Sequence, residues 1–234
     1  MAKDKALRIN SAQSGHRKRL KERFSNSSVG SLPDYEILEM ILFMATPRRD
    51  TKPLARLLLK RFGSIKGVFF ADPTELANVS GITTSTINLM RLLEDFFSRL
   101  YKPDAKNDET ILNNWNNVLN YCTLTMGFKK HECLRVLYLD KRNKLLADQL
   151  MQEGTVDKVA IYPREILKQC LAKGASAVII VHNHPSGEAK PSQEDTSITQ
   201  QINDALKIIG ISLHDHVIVA KEKHFSFRAN GLLN

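Results

Sequence analysis

The stretch VHNHPSGEAKPSQEDTSITQ, Val181 to Gln200, decides how the C-terminal half of this 234-residue chain is read. Just before it, ASAVIIV is a continuous apolar run, the pattern of a strand buried on both faces. His182 and His184 follow two apart, and alternate residues of an extended chain project to one face. Pro185-Ser186-Gly187 then turns the chain, and SQEDTSITQQINDALKIIG carries apolar residues at helical spacing. Ile198, Ile202, Leu206 and Ile209 are expected on one buried stripe, with Gly210 ending the helix.

Ser192 and Asp195 read as a capping box, with Ser at the N-cap and an acid three residues on. That role is compatible with a second one. If the loop folds back, Asp195 meets the two histidines, and two imidazoles plus a carboxylate make a three-ligand zinc set with the fourth position left for water. Zinc lowers the pKa of such a water from 15.7 to about 7. Hydrolysis also needs a carboxylate base within hydrogen-bond reach of the water, and Glu153 in QEGT is placed for it, with Gly154 permitting close backbone approach. Ser192 can donate to the oxyanion of a tetrahedral intermediate.

A second pair, His214 and His216 in SLHDHVIVA, has no Ser-x-x-Asp after it. It is read as structural, with Asp215 or His216 hydrogen-bonding near the site. The letters His182-Asn183-His184 do not carry an HNH nuclease signature. The His-x-Glu and Pro-Cys-x-x-Cys of zinc nucleobase deaminases are absent, as is the H-E-x-x-H of other zinc proteases.

Outward from this stretch, ILNNWNNVLNYCTLTMG reads as a helix, and CLRVLYLD and KLLADQLMQEGT as strands around Lys141-Arg142-Asn143. YPREILKQCLAKG reads as a helix, and ISLHDHVIVA and HFSFRA as strands. The fold class expected for residues 111–234 is an α/β sandwich. Residues 1–104 read as helical, through DYEILEMILFMA, TKPLARLLLKRFG and STINLMRLLEDFFSRLY, and the polar YKPDAKNDET, residues 101–110, as a linker.

Glu153, His182-x-His184 and Ser192-x-x-Asp195 together resemble the JAMM (MPN+) motif of zinc metallopeptidases. The wording EGTVD, HNHPSG, PSQED and DHVIVA is similar to the bacterial RadC-type JAB-domain proteins. The resemblance covers about residues 111–234. It implies a cytidine-deaminase-like α/β sandwich, zinc held by His182, His184 and Asp195, acid/base chemistry by Glu153, oxyanion support by Ser192, and a peptide or protein substrate. The family name also carries a DNA-repair association.

FADPTELANVSGITTSTINLM resembles a helix-hairpin-helix element, whose hairpin offers backbone N–H groups to a DNA phosphate. Gly81 occupies the first glycine position, and Thr83 stands where the second glycine is expected. The basic run HRKRLKERF, with Arg17, Lys18 and Arg19, suits phosphate contacts. Residues 1–104 hold 18 Lys+Arg against 11 Asp+Glu, a net of +7, whereas residues 105–234 hold 16 against 14, a net of +2. DNA is therefore an expected partner of the first half, alongside a protein-interaction role, and a DNA-binding protein with a structural or vestigial zinc is the alternative to the hydrolase.

Cys122, Cys133 and Cys170 form no C-x-x-C, which argues against a disulfide framework and a cysteine zinc knuckle. No apolar run approaches the ~20 residues of a membrane helix, and the first ten residues lack the apolar stretch of a signal peptide. The expected address is cytoplasmic, with no membrane partner.

Overall fold

The computed structural model describes residues 15–47, 49–103, 111, 113, 115–153 and 162–233, with the side chains of Gln152 and Glu153 outside that description. The chain divides into two compact units, residues 1–94 and 95–234. The division falls inside a long helix, Thr84–Tyr101, and residues 104–110 of the expected linker lie outside the described residues.

The first unit is helical. Helix α1 covers 15–25. It is followed by α2 (Asp34–Ala45), α3 (Lys52–Phe62), α4 (Ile65–Phe69), α5 (Pro73–Ala77) and α6 (Thr84–Tyr101). Leu38, Leu42, Ala55, Leu58, Val68, Leu76 and Met90 form its core. The start of α2 at Asp34 and the stop of α3 at Gly63, whose φ is 84°, are as the sequence predicts. The two five-residue helices are additions to that reading. Their signals are local: Ser64 accepts from the Gly67 N–H, and Asp72 accepts from the Thr74 N–H ahead of Pro73. Two carboxyls of α2 are buried. Glu39 pairs with His16 at 2.8 Å, and Glu36 with Arg23 and the Tyr35 hydroxyl.

The second unit is an α/β/α sandwich. Its elements are α7 (Trp115–Met126), β1 (Cys133–Leu139), β2 (Leu145–Glu153), α8 (Pro163–Lys173), β3 (Ala177–Asn183), α9 (Gln193–Ile208), β4 (Ser212–Ala220) and β5 (Lys223–Ser226). The sheet order is β2-β1-β3-β4-β5. Only β3 and β4 are parallel; the other neighbours are antiparallel. The sheet has two apolar faces, which is why β3 reads as unbroken Ala-Val-Ile-Ile-Val. Leu137, Ile179, Val181 and Val219 meet α7 through Cys122 and Met126. Val136, Val178, Ile180 and Ile218 meet α8 and α9 through Ile166, Ile202 and Leu206. One expectation is corrected here. Ile209 caps α9 and is 37% exposed, so the buried stripe stops at Leu206, where the chain turns out through Gly210 at φ 71°.

A parallel neighbour requires a crossover, and α9 supplies it. The end of β3 and the start of α9 are therefore joined at one edge of the sandwich. His184 N–H donates to Val219 O at 2.9 Å, adding one rung beyond β3, and Gly187 at φ 85° closes the turn onto His184 O.

Candidate metal centre

Three expected ligands come together. His182 Nε2 lies 3.0 Å from His184 Nε2 and 3.2 Å from Asp195 Oδ1, and His184 Nε2 lies 3.4 Å from Asp195 Oδ2. The set is His182, His184 and Asp195, the one His/Cys/Asp/Glu group able to hold a metal among the described residues. Tetrahedral zinc with bonds of about 2.0–2.1 Å sets neighbouring ligand atoms about 3.3 Å apart, so the spacing fits that ion.

Hydrogen bonds behind the ligands decide which nitrogens face inward. His184 Nδ1 lies 2.9 Å from Glu188 O. A carbonyl only accepts, so Nδ1 carries the proton and Nε2 keeps a lone pair. His182 is set through a longer chain. Thr199 Oγ1 donates to Asp195 O, 2.5 Å away, and so accepts from His216 Nδ1. His216 is fully buried, which holds its imidazole neutral well below the usual range, and the neighbouring His182 acts in the same direction. Its Nε2 therefore accepts from His182 Nδ1 at 2.8 Å, leaving His182 Nε2 as the second lone pair. Facing lone pairs 3.0 Å apart repel unless a cation or proton lies between them. The ionised form of Asp195 is favoured accordingly. Burial pushes its carboxyl up, but the adjoining His182 and His184 imidazoles, which donate to it whenever Nε2 is protonated, outweigh this and hold it far below the ordinary carboxylate range. The same contact with Asp195 raises the His184 imidazole, against a smaller opposing effect of burial.

Ser192 and Asp195 form the expected capping box. Ser192 Oγ accepts from the Asp195 N–H at 3.0 Å, and Asp195 Oδ2 accepts from the Ser192 N–H at 2.8 Å. The Ser192 hydroxyl also donates to Oδ2 at 2.7 Å, so its one proton is directed at the ligand carboxylate. Oδ1 is left as the oxygen facing His182. Glu153 is the last residue of β2, with its backbone opposite Cys133, while Leu134 on the same strand pairs with His182. The Glu153 backbone thus sits at the ligand end of the sheet, two strand spacings or about 10 Å from β3. Its side chain, and Gly154, lie outside the described residues.

Of the second histidine pair, His216 joins the site and His214 does not: His214 Nε2 lies 2.6 Å from Asn143 Oδ1. Thr199 is missing from the sequence reading, although it stands one helical turn after Asp195 on the inward side of α9.

In the first unit, Arg17 turns inward. Its guanidinium donates to the carbonyls of Thr46, Pro47 and Arg49 and covers the Phe43 ring at 4.4 Å. Lys18 and Arg19 are exposed, Lys18 beside Glu22 at 3.8 Å. Gly81 takes the left-handed φ of 95°, and Thr83 Oγ1 accepts from the Thr86 N–H at the start of α6. No helix among the described residues is long and apolar enough to cross a membrane.

A UPF0758 protein of Ruegeria pomeroyi is 45% identical over 218 residues, which is 93% of this chain and 97% of the relative. A UPF0758 protein of Rhodobacter capsulatus is 44% identical over 214 residues, 92% of this chain and 100% of the relative. Residues 112–232 match the model of the RadC-like JAB domain, a span that contains all three candidate ligands, His216 and Thr199. The chain belongs to the RadC-like JAB domain family.

Proposed function

We propose that the second unit is a zinc-dependent amide hydrolase, a metallopeptidase or isopeptidase acting on a peptide or protein. The observation that carries this reading is the convergence of two tautomer-fixed Nε2 lone pairs and an ionised carboxylate on one point at the end of β3. A zinc ion there supplies Lewis acidity and hydroxide at neutral pH. His182, His184 and Asp195 hold it, and Glu153 takes the proton of the attacking water and passes it to the leaving amine. Ser192 supports the oxyanion by redirecting the proton that it otherwise gives to Asp195 Oδ2.

The test is zinc analysis of the wild type and Glu153→Gln, with cleavage of a quenched-fluorescence peptide library. The expected result is about one zinc per chain in both proteins, and cleavage in the wild type alone. Equal cleavage by the two proteins, or no zinc after purification with zinc present, overturns the reading.

A second reading, a DNA-binding protein with structural zinc, is favoured by the +7 excess of residues 1–104 and by exposed Lys18 and Arg19 near the start of α1. It requires DNA binding that weakens steeply with salt. Absence of binding at low salt removes it.

A further inference from the structure

At the other end of α9 lies a cavity of about 320 Å³. It belongs to the second unit and is lined by Asn203 and Lys207 of α9, Ile211 just before β4, Ser212, Leu213 and His214 at the start of β4, and Arg228. Twelve residues of helix separate Asp195 from Lys207, about 18 Å at 1.5 Å per residue, so this is not an extension of the metal centre.

Asn203 is the anomaly. It is 4% exposed and lines the cavity, yet its side-chain amide has no hydrogen-bond partner among the described residues. Its polar atoms are not sealed from solvent, so they rely on water or on a ligand in the cavity. The charged groups around it are cations, and His214 turns its Nε2 to Asn143 Oδ1, 2.6 Å away. Neither the Lys207 ammonium nor the Ser212 hydroxyl has a partner among the described residues. Arg228 spends Nε on His214 O and Nη2 on Leu213 O, which positions the guanidinium and leaves three of its five N–H groups. No carboxylate lines the cavity. The end of α9 is also quiet: Leu206 O and Lys207 O accept from Ile209, Gly210 and Ile211, so these helix-end carbonyls do not need Lys207. Ile211 and Leu213 form an apolar wall, and the volume suits a small ligand.

The geometry points to a second binding site, for a small organic anion. Its phosphate or carboxylate group sits between Lys207 and Arg228, with Ser212 and the Asn203 amide donating, and its short apolar body lies on Ile211 and Leu213. Phenyl phosphate and inorganic phosphate are suitable probes.

The experiment is NMR titration of the full chain with each probe, on the wild type, Lys207→Ala, Asn203→Leu and His184→Ala. Saturable shifts are expected at the Asn203 side-chain amide and at the Ser212 and Leu213 backbone, with phenyl phosphate binding more tightly than inorganic phosphate. Lys207→Ala, an exposed position, should weaken binding about tenfold. Asn203→Leu replaces the amide with a bulkier apolar side chain and should abolish binding, and His184→Ala should leave it unchanged. Three outcomes overturn the proposal: no saturable shift at millimolar probe, meaning that water alone satisfies Asn203; equal affinity in Lys207→Ala; or loss of binding in His184→Ala, which would move the anion to the metal centre.

Discussion

His182 Nδ1 lies 2.8 Å from His216 Nε2, and through that one contact a side chain 34 residues away leaves Nε2 as the His182 nitrogen that faces His184 and Asp195. His216→Phe keeps an aromatic ring beside Phe227, on which His216 stacks at 4.8 Å, but removes the acceptor. Zinc affinity should fall about 10–100-fold, as for other lost partners behind a metal ligand. Competition with a chromogenic chelator measures it. Unchanged affinity would mean that His216 does not orient His182.

Asp195 has two roles and His184 has one. His184→Ala should abolish zinc binding while leaving the metal-free protein near wild-type stability, since its ring is half-buried and at the surface end of the turn. Asp195→Ala removes the ligand and half of the capping box, at an added cost of about 1 kcal/mol. Thermal melts in excess chelator separate the two effects. In zinc, both variants should lose the stabilisation that the wild type gains from bound metal.

Arg17 and its neighbours differ in what they hold. Arg17→Ala removes the guanidinium from the carbonyls of Thr46, Pro47 and Arg49, the last two of which are exposed, and should cost about 1 kcal/mol. The double variant Lys18→Ala, Arg19→Ala should leave the melting temperature within about a degree of wild type. If the first unit binds DNA through this run, the double variant reduces the slope of log K against log salt by about two. A melting loss in the double variant would contradict its exposed placement.

Glu36 links the first unit to pH. Burial alone would raise its carboxyl, but hydrogen bonds from Arg23 and Tyr35, helped by the charges of Arg23 and Lys52, lower it overall. A carboxyl depressed in the folded state stabilises above its unfolded pKa and loses that contribution as pH falls through the folded value. The first unit should therefore weaken below about pH 4.5, the ordinary carboxylate value. Glu36→Gln should be less stable at pH 7 and show a flatter acid limb in melts between pH 7 and pH 3. An unchanged acid limb would remove Glu36 from this role.

Much of this protein is written locally. The two-sided burial of β3 follows from an apolar run with no polar interruption, and the start of α9 follows from Ser192 and Asp195, because a capping box closes within four residues. The ligand triad is legible for the same reason: His182, His184 and Asp195 fall within one strand–turn–helix, so short-range geometry brings them together. The roles of His216 and Thr199 depend on a different kind of fact. His216 reaches His182 only because β4 pairs in parallel beside β3, placing Ile180 opposite His216 and His182 opposite Ile218. Thr199 reaches His216 only because α9 packs its inward side on that same face of the sheet. The inward turn of Arg17 is likewise set by carbonyls about 30 residues away, at the end of α2. Sequence spacing specifies which groups can share a local turn, whereas hydrogen bonds between separate elements depend on sheet order and register, and those were decided by burying both faces of one sheet at once.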